Sequence, residues 1–203
     1  MPKVKIKRQS TSTDMTAMCD VAFLLLTFFI LTATARQPEP LPVETPSSTT
    51  TFKLPDTDIS TLTIGQGKVF FGVVGQDVRI NTLERMGEQY QITFTDEEKK
   101  RFALIESFGV PIASIKEFIA LDNSERLELK QPGIPSDSGA NNELKQWILS
   151  ARYATKELHN VDLRFSIKGD SKEEYPTIRK IVDILQDQKI NKFSLITSLE
   201  GVD

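Results

Sequence analysis

Residues 15–35 read MTAMCDVAFLLLTFFILTATA, a run of twenty-one residues with one charge, Asp20. At 1.5 Å per residue a helix of that length extends about 31 Å, the hydrocarbon thickness of a bilayer. The run is apolar on every side except one stripe, which is unlike the single apolar face of a helix packed in a soluble core. It is expected to be a transmembrane helix, and the rest of the chain is read relative to it.

The flanks are asymmetric. Lys3, Lys5, Lys7 and Arg8 precede the run, whereas after Arg36 no Lys or Arg occurs until Lys53. Positive charge is retained on the cytoplasmic side, so residues 1–14 are expected in the cytoplasm and the remainder beyond the membrane. A cleavable signal peptide would use the same basic start, with Ala33-Thr34-Ala35 as the cleavage site. Three features oppose it: a long basic region, Asp14 and Asp20 beside the apolar stretch, and Phe28-Phe29 extending that stretch to full span.

Asp20 is the informative residue. A carboxylate inside a membrane helix costs about 2.5–3.5 kcal/mol on insertion scales, and such residues usually mark a proton or ion path. Asp20, Thr27 and Thr34 are spaced by seven, which returns a helix to within about 20° of the same face. Thr16 extends that line by one turn, while Phe23, Leu25, Phe28 and Phe29 spread over the other faces. A polar line carrying one ionisable group belongs against protein or water. Binding a proton would remove the burial penalty, so protonation and helix environment are coupled. The bland alternative is a carboxylate solvated near the cytoplasmic end of the helix.

The chain of 203 residues carries a net charge of −3, too weak to indicate nucleic acid. Its only cysteine is Cys19 and its only histidine His159, which leaves no disulfide and little basis for a metal site or a nucleophilic triad. No cofactor is expected, and no enzymatic activity.

Residues 36–58 hold Pro38, Pro40, Pro42, Pro46 and Pro55 interleaved with Ser47–Thr51. This composition favours an extended linker without a packed core, able to hold the downstream domain clear of the membrane. That folded domain is expected over 59–203. Ser60–Gly72 alternates around Gly65-Gln66-Gly67 and reads as a hairpin. Leu144–Leu158 reads as a helix with Leu144, Trp147 and Ile148 on one face, capped by Asn141-Asn142. Val161–Ile167 is a strand, Pro176 opens a helix with Ile178, Ile181, Val182 and Leu185 on one face, and Lys192–Thr197 is a last strand. The expected class is α+β: one transmembrane helix, then a small β-β-α-β-α-β domain with two helices on one face of a sheet.

The opening of the span, with Thr16, Asp20, Val21, Leu24, Leu25 and Phe28-Phe29, resembles the ExbD/TolR family; Ala17 stands where that family often has proline. The tail is similar in a less specific way, through Ile167, Asp170, Tyr175, Ile178 and Thr197. The resemblance covers about residues 1–72 and 143–203. Residues 73–142 have no counterpart in it and are read as an inserted helical pair. One helix is opened by the Thr95–Glu98 capping box and runs to Gly109; the other runs from Pro111 to about Leu121.

The resemblance implies a subunit of a proton-driven motor in a bacterial inner membrane. Two copies of the span would lie within an ExbB/TolQ-like channel subunit, with Asp20 as proton acceptor and Thr16, Thr27 and Thr34 as polar neighbours. A TonB-like or TolA-like transducer would carry the motion to the outer membrane, and the periplasmic domain would dimerise or contact the cell wall. The rival readings are a TolR-like role in envelope integrity, a signal-anchored scaffold or binding domain, and an exported enzyme built on His159.

Overall fold

A computed structural model describes residues 15–33, 40–48, 57–137 and 142–199. The chain divides into two compact units, 1–37 and 38–203. The first contains α1, Met15–Thr32, extended by a bond from the Ala33 N–H to the Phe29 carbonyl.

The second unit begins with β1, Ser47–Ser48, and the hairpin β2, Ile59–Gly65, and β3, Lys68–Val73. Helices α2, Gln76–Tyr90, and α3, Asp96–Ala103, lead to β4, Ser107–Phe108. A 3-10 turn at Ile112–Ser114 runs into α4, Ile115–Ala120, followed by α5, Asn123–Glu128. Then come α6, Glu143–His159; β5, Arg164–Gly169; α7, Tyr175–Asp187; β6, Phe193–Leu195; and β7, Ser198–Leu199.

The main sheet has the order β4-β3-β2-β5-β6; β2 pairs antiparallel with β3 and parallel with β5, and β5 parallel with β6. The hairpin is closed by Gln66 and Gly67, both at positive φ (55° and 68°), the geometry whose twist matches paired strands. Alternation assigns the two faces. Leu62, Ile64, Val69, Phe71, Phe165 and Ile167 enter the main core, whereas Thr61, Thr63 and Lys168 line the opposite side. The core is completed by Leu144, Trp147 and Ile148 of α6 and Ile181 and Leu185 of α7. The expected β-β-α-β-α-β succession is thus present as β2, β3, α6, β5, α7 and β6. Its local signals hold: Asn142 Oδ1 accepts from the Lys145 N–H at 2.9 Å, and Thr95 and Glu98 form the reciprocal capping box.

Two expectations are corrected. The first concerns residues 73–142, read above as an inserted helical pair, which are part of the core. α2 packs on α6, and its Val78, Leu83 and Met86 are fully buried in the same core. Phe102 and Phe108 enclose Trp147, with ring centroids at 6.1 and 4.8 Å. The segment is also richer than a helical pair: α3 stops at Ala103, short of Gly109, because Ser107 and Phe108 pair with Gly72 and Phe71 as an edge strand.

The second concerns the linker. Residues 40–48 lie along the sheet domain as a strap, with Leu41 buried at 8% exposure. Gly65 makes room for it: a Cβ there would come within 2.9 Å of both Leu41 and Val43. The Ser171 N–H donates to the Glu44 carbonyl at 2.8 Å, Lys172 pairs with Glu44 at 3.0 Å, and β1 runs parallel to β7. A proline-rich segment needs little ordering entropy to lie extended, and here it finds a hydrophobic seat.

Candidate functional site: a carboxylate on the apolar helix

α1 has eighteen residues of mean hydropathy 2.0, long and apolar enough to cross a membrane, at about 27 Å. Its one charged residue is Asp20. Asp20 stands in the second turn, next to the exposed thiol of Cys19. The apolar side chains from Val21 to Leu31 are exposed within this unit, as expected of a surface whose solvent is lipid or another protein.

Thr16 lies one turn before Asp20, and Thr27 seven residues after it, on the same helical face. Thr34, the last of the expected line, lies outside the described residues. The Thr27 hydroxyl donates to the Leu24 carbonyl at 2.9 Å, so its hydrogen is held by its own helix and its lone pairs face outward. Thr32 does the same toward Phe28 at 2.8 Å. Such back-bonding lets a hydroxyl sit in an apolar helix at low cost. Thr27 is therefore a weak polar neighbour that accepts more readily than it donates. The structure places Asp20, Thr16 and Thr27 on one line and gives Asp20 no side-chain partner within the helix.

The sheet domain offers polar groups of a different kind. Among its described residues no three His, Cys, Asp or Glu side chains converge to hold a metal. A cavity of about 430 Å³ opens on the face away from the helices, between Leu41 and the strands. Its polar lining includes Thr61, Thr63, Glu106 and Arg79. The Arg79 guanidinium is already committed to the Val73 and Ala103 carbonyls, at 2.7 and 2.5 Å. Burial pulls its pKa down and Glu106 opposes that pull. These groups hold strands and helices together.

The family described as Biopolymer transport protein ExbD/TolR matches residues 7–200. The chain belongs to the ExbD/TolR family. The match runs through α1, the strap, residues 73–142 and the sheet domain, so the segment that has no legible counterpart in sequence lies inside the family's span. Comparison with curated proteins and with solved structures gives no match. Membership places this ExbD/TolR protein among the components of energy-transducing biopolymer transport, and the one apolar helix among its described residues fits single-pass anchoring.

Proposed function

We propose that this ExbD/TolR protein is the single-span subunit of a proton-driven motor that energises TonB-dependent transport across the outer membrane. The observation that carries the reading is Asp20: one charged side chain in eighteen residues of a membrane-length helix, with Thr16 and Thr27 on its face. An ionised carboxylate there carries a free-energy cost that protonation removes, so binding and releasing a proton is the chemistry it is suited to.

In this reading α1 lies within an ExbB/TolQ-like channel subunit as one of two copies, with the basic amino terminus in the cytoplasm. Asp20 takes a proton from the periplasmic side and gives it to the cytoplasm. The charged and neutral forms favour different surroundings, so each proton moves the helix. A TonB-like transducer receives that motion, and the sheet domain is its periplasmic end. A TolR-like role in envelope integrity uses the same chemistry with a TolA-like client.

The test is Asp20→Asn in a strain lacking the chromosomal copy, at matched expression. Asn keeps shape and polarity and cannot exchange protons. The variant should co-purify with the channel subunit, while proton-driven uptake falls to the level of the deletion strain. Thr27→Val, whose hydroxyl is already bonded within the helix, should retain most activity. Full uptake with Asp20→Asn overturns the motor reading and leaves α1 an anchor.

A further inference from the structure

The one histidine of the chain sits between two carboxylates brought from distant points. His159 is the last residue of α6. Its Nδ1 bonds Asp58, which precedes β2, and its Nε2 lies 2.9 Å from Asp77 Oδ2 in the first turn of α2. Asp58 is held at φ 54°, and its carbonyl accepts the Arg164 N–H at 2.9 Å where β5 begins. Asp77 Oδ1 accepts the Val78 N–H at 2.9 Å. One ring therefore joins the start of the sheet to the ends of two packed helices. The aspartates approach opposite ring nitrogens and do not converge on a point, so the cluster is a bridge and not a metal site.

The protonation state follows from donor counting. Ionised carboxylates only accept, and a neutral imidazole has one N–H, whereas imidazolium has two. Both contacts are hydrogen bonds at once only when the ring is protonated. We propose that His159 is a proton-operated clamp, closed by protonation, that fastens the amino end of the sheet domain and the start of α2 to the end of α6. Resting on the motor reading, the clamp faces the compartment from which protons are drawn and stiffens the domain when that compartment is acidic.

The charges that neighbour the ring on these elements have partners of their own. Lys156 on α6 pairs with Asp162 at 3.3 Å, and Glu157 on α6 pairs with Arg85 on α2. Arg164 meets Asp58 through its backbone. The hydrogen bonds to Asp58 and then Asp77 hold His159 above its ordinary value of 6.5. The bond to His159 holds Asp77 below 3.8. The histidine contribution is full below 6.5 and lost as pH rises through the raised value; the aspartate contribution is full above 3.8 and lost as pH falls through the lowered one. The clamp is closed across the window between them. On the alkaline side the arm that opens is Asp77, whose side chain is 55% exposed against 20% for Asp58 and so rehydrates more easily.

Because His159 is the only histidine, the full-length protein in detergent, labelled with ¹⁵N at imidazole, gives one titration. The ring should titrate above 6.5, and Asp58→Asn and Asp77→Asn should each lower its midpoint. Amide hydrogen exchange at Val78 and Arg79, corrected for intrinsic rates, should accelerate several-fold between about pH 5 and pH 9, where an ordinary histidine has fully changed state. In His159→Gln the same amides should show no such pH dependence. A wild-type ring titrating at or below 6.5, or α2 amides whose protection ignores the ring's transition, overturns the clamp. Neither readout depends on transport, so the outcome stands apart from that of Asp20→Asn.

Discussion

At the scale of single residues, Arg79 shows how a charge can serve the fold. Its Nε and Nη1 donate to the carbonyls of Val73, at the end of β3, and Ala103, at the end of α3. A hydrogen bond from a charged group is worth about 1.5–3 kcal/mol, and removing it here strands two carbonyls in a closed joint. Arg79→Ala should destabilise the domain by about 2–4 kcal/mol in denaturant unfolding, whereas Glu106→Gln, outside those bonds, should cost well under half as much. Asp20 is the opposite case, a charge that stabilises nothing around it. That contrast separates a charge bonded into the fold from one that the fold leaves unbonded.

At the scale of elements, α2, α3 and β4 decide whether the domain is one body. Phe102 and Phe108 are 2% and 3% exposed against Trp147, and α2 adds three fully buried side chains to the same core. Losing one such phenylalanine contact set costs about 3–5 kcal/mol, and a domain has about 5–15 in total. Replacing residues 73–142 with a short loop should therefore abolish cooperative unfolding; retention of a sharp transition would show a self-sufficient smaller core. The flanking elements are legible in sequence because each has a strong local signal: glycines at the hairpin, a cap at Asn142, a four-residue apolar stripe in α7. α2 is illegible for a physical reason. Its buried face mixes Val78, Leu83 and Met86 with Arg79, Thr82 and Gly87, so no apolar period emerges. α3 reads too long because Phe102, Leu104 and Ile105 continue an apolar pattern whose helix is ended by pairing with β3. Asp20 is legible from one sequence because a charge stands out in a lipid-length run. The His159 bridge is not, since its partners lie 101 and 82 residues away.

At the scale of the whole molecule, the charge asymmetry across α1 makes a topological prediction. With Lys3, Lys5, Lys7 and Arg8 before the helix and no Lys between Arg36 and Lys53, a reporter fused after Asp203 should be active only beyond the cytoplasmic membrane. A fusion active in the cytoplasm, or a mature chain beginning near Arg36, would contradict an anchored subunit.

The strap over residues 40–48 has a mechanical consequence. Its described fastenings include the burial of Leu41, worth about 2 kcal/mol, and the bond from Ser171 to the Glu44 carbonyl, worth about 1 kcal/mol. They are weaker than the domain they lie on, so tension applied to the chain ahead of Pro40 peels the strap before it unfolds the sheet. The nine residues of the strap have a contour of roughly 30 Å, already extended in place. The strap is the weaker of two joints in series, and under load it yields first.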